Sequence, residues 1–184
     1  MKDKSDNMAL REALRHCPRC GSGDFKNPSG NTFKCGACGF QYFLNAATAV
    51  GAIIRDDKGR VLLIKRGINP GKGLFGLPGG FVEPQETVES ALRREVKEEV
   101  NLDLTALKFL CSQPNQYFFH GVVYPVLDFF FVCEAASLGE IQALDETDGF
   151  SFFAPAKIPF AKLAFPSVKK ALKIYVRKIN SKIA

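Results

Sequence analysis

Apolar and polar residues recur along this chain with two different periods, and the change from one to the other marks out its elements. Thr48 to Arg55 (TAVGAIIR) and Val61 to Arg66 (VLLIKR) are strand-like runs joined by Asp56-Asp57-Lys58-Gly59, a strong hairpin signal. A glycine-rich loop follows from Gly67 to Gly80. The period then lengthens: Val88, Leu92, Val96 and Val100 return every four residues behind Thr87, a suitable N-cap, which predicts an amphipathic helix over Thr87 to Val100. Its solvent face should carry Ser90, Arg93, Arg94 and Lys97. Leu107 to Gln113, Val122 to Cys133 and Gly149 to Phe153 read as further strands, and Pro166-Ser167 opens a last helix to about Lys182. Residues 1–16 read as a polar arm or short helix. Strands and helices interleave without a βαβ rhythm, so the expected class is α+β, a mixed β-sheet between helices in an α/β/α sandwich.

Composition narrows the picture only modestly. A chain of 184 residues with 46% apolar content can bury one core plus a small appendage. No apolar run is long enough to span a membrane, and Met1 to Arg15 is charged where an export signal needs an apolar stretch, so a soluble, cytoplasmic protein is expected. The formal net charge of +6 suits a polyanionic ligand without demanding one. Trp is absent and Phe occurs seventeen times, so Phe supplies most large aromatic positions of core and pocket.

Four of the six cysteines form two pairs, Cys17-Pro-Arg-Cys20 and Cys35-Gly-Ala-Cys38, fourteen residues apart. This C-x2-C array falls one residue short of the usual ribbon spacer. Gly21 and Gly39 follow the pairs and let the backbone turn so that amides face sulfur. Two disulfides are the alternative; the missing export signal and the local pairing favour a structural Zn²⁺ bound by all four thiolates. The segment from Cys17 to Phe43 is too short for a core of its own, so metal would supply its folding free energy. Cys111 and Cys133 sit among apolar residues and read as buried spectators.

The predicted helix carries Glu95, Glu98 and Glu99 on one flank, because spacings of three and four return to one face. Glu95 and Glu99 border the apolar stripe, where like charges repel and desolvate badly unless a cation sits among them. An ordinary solvated acidic face would lie opposite that stripe. Oxygen-only ligands favour Mg²⁺ or Mn²⁺, often shared with substrate phosphates.

Gly80, five residues, Glu86, seven residues, then Arg94-Glu95-Val96-Lys97-Glu98-Glu99-Val100-Asn101-Leu102 resembles the Nudix box, GX5EX7REUXEEXGU, at every defined position except Asn101, where the family has Gly. Asn tolerates the left-handed conformation that ends a helix, so the geometry should survive. Leu77-Pro78-Gly79-Gly80 is similar to the family's lead-in, with Phe75 where Trp is common. The resemblance implies a Nudix fold over residues 46–184 behind an N-terminal arm (1–16) and a zinc ribbon (17–43). It also implies hydrolysis of a phosphoanhydride in a nucleoside diphosphate joined to another moiety. Glu95, Glu98 and Glu99, with the Gly79 carbonyl, would ligate metal; Arg94 would hold one carboxylate; Gly80 and Glu86 complete the motif. Glu146 or Asp148 is the later acid that often joins such a site, and the choice of general base stays open.

A ribbon preceding this box is similar to the NADH pyrophosphatase subgroup, as is Ser112-Gln113-Pro114, eleven residues past Asn101. The subgroup's signature then lapses into Asn115-Gln116-Tyr117-Phe118-Phe119-His120, and Tyr42-Phe43-Leu44 replaces its YPR. The expected substrates are NADH- or ADP-ribose-type dinucleotides, with Gln113, Tyr117 and Phe118 against a base. Strand packing is the competing role for the two rings. A nucleoside triphosphate pyrophosphohydrolase and an inactive nucleotide- or RNA-binding regulator are the alternatives. Nucleic acid is the less favoured partner, because the lysines of the last helix, Lys169 to Lys182, oppose an apolar stripe and read as a solvated face. A homodimer is common in families resembling this one.

Overall fold

The computed structural model describes residues 8–181, so the first seven residues of the arm and Lys182 lie outside it. Two compact units emerge: residues 1–47 with 116–125, and residues 48–115 with 126–184. The tip of one long hairpin therefore groups with the N-terminal segment.

In the first unit the arm contains a short strand, β1 (Met8–Ala9), and a single helical turn, α1 (Leu10–Ala13). The cysteine segment forms an antiparallel sheet of β2 (Phe25–Ser29), β3 (Thr32–Cys35) and β4 (Gln41–Phe43). Contrary to expectation it has a small core. Phe25 and Phe33 are buried with Cys17 and Cys35, and their rings stack 5.1 Å apart. The hairpin tip turns at His120 and Gly121, both at positive φ, and β1 pairs in parallel with the residues that follow.

The second unit is built on β5 (Ala47–Ile54) and β6 (Val61–Arg66). Asp56 stops the intervening turn by accepting from the amides of Lys58 and Arg60. β6 lies between β10 (Thr147–Phe153) and the short β7 (Phe75–Gly76), while β5 joins a second sheet through β9 (Val122–Ala135), which also pairs with β8 (Leu104–Phe119). β8 runs well past the expected Gln113 and carries Pro114 without losing strand geometry. Among the described residues its sheet partner is β9 alone, and an edge strand tolerates a missing amide donor.

Side chains on β5 and β6 alternate between two cores. Ala52, Ile54, Leu62 and Ile64 pack with Leu92, Val96 and Val100 of α2 (Val88–Val100). Ile53, Val61 and Leu63 pack with Val168, Ala171, Leu172 and Tyr175 of α3 (Pro166–Asn180). Strand period two against helix period 3.6 thus gives the helix–sheet–helix layering anticipated from the pattern.

α2 is the element that matters for chemistry. Thr87 Oγ accepts from the Ser90 amide at 3.1 Å, closing its N-terminus. Asn101 ends it at φ 55°, ψ 36°, so Asn does adopt the left-handed conformation usually given to Gly. The open carbonyls of its last turn bind a later segment: Gln142 N–H donates to Val100 O, Leu144 N–H to Glu99 O, and Asn101 Nδ2 donates to Glu140 O.

Candidate active site

The loop Pro78 to Val82 is laced onto β5 by Ala52 N–H to Pro78 O, Val50 N–H to Gly80 O and Val82 N–H to Thr48 O, all within 3.0 Å. Both glycines are dictated by this approach. A Cβ on Gly79, whose φ is +139°, would stand 2.2 Å from Val50 O, and one on Gly80 would stand 2.5 Å from the Glu95 carboxylate. The loop backbone and the helix carboxylates therefore meet with no side chain between them.

The three glutamates are graded in depth. Glu99 is 7% exposed and accepts from the Gly79 amide at 2.8 Å. Glu95 is half-buried, and the Glu98 side chain is 48% exposed. Arg94 lies among them and not on the solvent face assigned to it above. Its guanidinium grips Glu86 with two parallel bonds of 2.9 Å, meets Glu95 at 2.9 Å and Glu98 at 3.0 Å, and donates to Phe81 O. It gathers three carboxylates where the resemblance implied one, because the fork of five donors can serve several acceptors at once.

Burial and like charge act against ionisation in this cluster. Arg94 and the Glu83 amide hold the Glu86 carboxyl down to about 2. Burial pushes Glu95 up against the pull of Arg94, with Glu98 and Glu146 adding repulsion. Glu99 rises to about 8, chiefly by burial, opposed by the Gly79 amide and by Arg66, and reinforced by Glu95 and Glu146. Of the two later acids it is Glu146 whose charge acts on these carboxylates; Asp148 instead fills the space beside Gly67. Arg66, which the sequence reading passed over as the end of a strand, is also part of this field. One buried and one half-buried acid beside an exposed third, lined by a bare glycine backbone, form an oxygen donor set suited to a hard dication.

Among the described residues, the group of ligand side chains that already closes on one point is Cys17, Cys20, Cys35 and Cys38, with all four sulfurs within 4.8 Å of one another. The pairs Cys17–Cys38 and Cys20–Cys35 stand 3.7 and 3.6 Å apart. That matches the edge of a tetrahedron with metal–sulfur bonds of about 2.3 Å and is far from the ~2.0 Å of a disulfide. Amides of Cys38 and Ala37 lower the Cys35 thiol to about 7, whereas Cys20, against the pull of the Ser22 amide, is pushed up to about 12 by its neighbouring thiols. Gly21 and Gly39 turn at positive φ and donate to the carbonyls of Cys17 and Cys35, as the knuckles require. These residues could hold zinc with every position filled, leaving no place for substrate. Cys133 is buried and its thiol is pushed up to about 12, consistent with a spectator.

The residues expected to contact substrate are more dispersed. Gln113 is half-buried on β8, where it opposes the upward push of burial on the Cys111 thiol. Tyr117 is half-buried, 6.4 Å from the Phe119 ring, and Phe118 is exposed, both on the hairpin tip in the other unit.

The chain is similar in sequence and fold to known proteins. ADP-ribose pyrophosphatase of Methanocaldococcus jannaschii is 39% identical over 140 residues, covering 75% of this chain and 78% of that protein. The NAD-capped RNA hydrolase NudC of Vibrio atlanticus is 29% identical over 105 residues; the match takes in 57% of this chain but only 38% of that protein's length. A crystal structure of a NUDIX hydrolase from Nitrosomonas europaea superposes with a TM-score of 0.69 at 25% identity, covering 89% of this chain and 91% of the other. No described helix is long and apolar enough to cross a membrane. The family model for the NUDIX domain matches residues 46–174, the stretch holding every carboxylate described above, and so the chain belongs to the Nudix family and is one of its pyrophosphohydrolases.

Proposed function

We propose that this protein hydrolyses the phosphoanhydride of ADP-ribose- or NADH-type dinucleotides with Mg²⁺ or Mn²⁺, using residues 46–184, while residues 17–43 bind a structural Zn²⁺. The observation that carries the reading is the graded carboxylate set of α2, packed against the bare Gly79–Gly80 backbone and gathered by Arg94. Glu95, Glu98 and Glu99, with the Gly79 backbone, would hold the dication, which supplies charge neutralisation at the diphosphate. Glu86 keeps Arg94 from swinging away, and Arg94 keeps Glu95 and Glu98 on the loop side of the helix. Glu98, the most exposed of the three, accepts a proton from a water that attacks phosphorus in line; the P–O bond to the bridging oxygen breaks and the second phosphate departs. Glu146 joins as the later acid. Gln113, Tyr117 and Phe118 are assigned to the substrate's base or nicotinamide. ADP-ribose is favoured because the archaeal relative named for it matches across most of both chains.

The test is turnover of NADH, ADP-ribose, FAD, diadenosine polyphosphates, NAD-capped RNA and nucleoside triphosphates with Mg²⁺ or Mn²⁺. ADP-ribose or NADH should lead. A preference for a simple triphosphate overturns the substrate assignment, and no turnover of any diphosphate overturns the whole.

A further inference from the structure

The sheet of the cysteine segment has two faces, and only the inner one is used by the cysteines. Phe25, Phe33 and Cys35 point inward and are buried, with Tyr42 half-buried beside them. Residues that alternate with these point to the other face. The strand register lines them up as two rows across the sheet, Lys26, Lys34 and Gln41 in one and Ser29, Thr32 and Phe43 in the other. All but the half-buried Thr32 are exposed.

Two features of this outer face act against stability. Lys26 stands directly opposite Lys34, and like charges so placed destabilise a sheet. Asp24 meets Lys26 at 3.0 Å, but Lys34 makes no ion pair among the described residues. Phe43 is 60% exposed and has no ring partner among the described residues, so its apolar surface is left to water. A polyanion with unstacked bases relieves both at once, because phosphates neutralise the lysine row while a base stacks on the phenyl ring. Rows two residues apart on a strand are separated by about 7 Å, so charge and ring act on the same short stretch of a ligand chain. A protein partner fits less well, since lysine is depleted at the centre of such interfaces.

A flat face with a bare ring takes a single strand, whose bases are free, and not a duplex, whose bases are already stacked. Ser29, Thr32 and Gln41 add hydroxyl and amide groups able to bond a ribose 2′-hydroxyl, which favours RNA over DNA. The lysines of α3 offer no comparable platform, because its one aromatic residue, Tyr175, is buried.

We infer that this outer face, with Lys26, Lys34, Gln41 and Phe43, is a docking surface for single-stranded RNA. The contact does not depend on the hydrolysis reaction.

The test is fluorescence polarisation of the full chain with a labelled short oligouridylate, titrated from low to high salt, beside oligothymidylate and an RNA duplex of equal length. Wild type is compared with Phe43→Ser, Lys34→Gln and, on α3, Lys173→Gln, and hydrogen exchange over residues 25–43 checks that each variant keeps the sheet. Phe43→Ser should weaken oligouridylate binding about tenfold or more. Lys34→Gln should weaken it a few-fold and reduce the slope of log affinity against log salt by about 0.7, the loss of one phosphate contact on a single strand. Lys173→Gln should bind as wild type does, and ADP-ribose turnover should be the same in all four proteins. Absence of oligouridylate binding at low salt, full affinity in either ribbon variant, or a loss confined to Lys173→Gln overturns the assignment. Binding of the duplex or of oligothymidylate as tightly as oligouridylate, or of phosphatidylserine vesicles alone, does so too. Should Phe43→Ser lose its exchange protection, Lys34→Gln decides. If wild type hydrolyses no diphosphate, the hydrolase reading fails while these RNA outcomes still decide the docking surface.

Discussion

The cysteine ribbon and the α2 carboxylates each bring several side chains able to ligate metal together, but they do so in opposite ways. The ribbon's four sulfurs already lie within 4.8 Å of one another, two of the cysteines buried among phenylalanines. The glutamates are held short of one another, two on Arg94 and one on the Gly79 amide. A soft-ligand site that closes on its own metal has nothing left for chemistry. A hard-ligand site restrained by an arginine and a glycine amide can exchange those partners for a cation and a phosphate, so restraint here leaves room for work.

The comparison can be broken at either side. Replacing Cys35 with Ser should abolish zinc binding and leave amides of residues 17–43 unprotected in hydrogen exchange, while residues 48–115 stay protected. Zinc content by elemental analysis that remains at one per chain contradicts the ribbon's role. At the other site, Glu98→Gln should lower kcat by about 100-fold or more without moving the thermal midpoint. Retention of near-normal turnover removes Glu98 from the chemistry.

Smaller effects sharpen the contrast. Glu99 carries a carboxyl raised to about 8, against 4.5 when unfolded. Its neutral form favours the fold below pH 4.5, and that stability drains away as pH climbs through about 8. Without divalent metal, Glu99→Gln should therefore be more stable than wild type at pH 9 by a few kcal/mol, with the gap closing at pH 4. Added Mg²⁺ should reverse the order at pH 9, and urea melts at the two pH values check both halves. Arg94→Lys, which cannot reproduce the paired bonds to Glu86, should cost about 1–3 kcal/mol in the same melts. Thr87→Ala removes only the cap and should cost about 1 kcal/mol, with kcat nearly intact.

The layers, the helix, the box and the cysteine knuckles were legible because each is written locally, as a period or a fixed spacing. The left-handed Asn101 was legible for the same reason. Other features depend on partners distant in sequence. Arg94 reads as solvent-facing by helical angle alone, and only Glu86, eight residues back on a loop, draws it inward. Glu146 and Asp148 were indistinguishable, since their difference lies in which one the backbone turns toward α2. The strand expected to end at Gln113 runs on through Pro114, which β8 tolerates with β9 as its sheet partner among the described residues. His120-Gly121 did hold an overlooked local sign, a residue tolerant of positive φ followed by glycine.

The last turn of α2 binds the segment from Glu140 to Leu144 through three hydrogen bonds, two to its carbonyls and one from Asn101. Glu146, two residues farther on, is thereby moored to the helix that carries the other acids, although more than forty residues of chain lie between. Fraying at that helix end would let the acid drift as well, so the terminus acts as a mooring post for a distant loop. Shortening the Asn101 side chain to Ala should slacken the line without touching a single carboxylate.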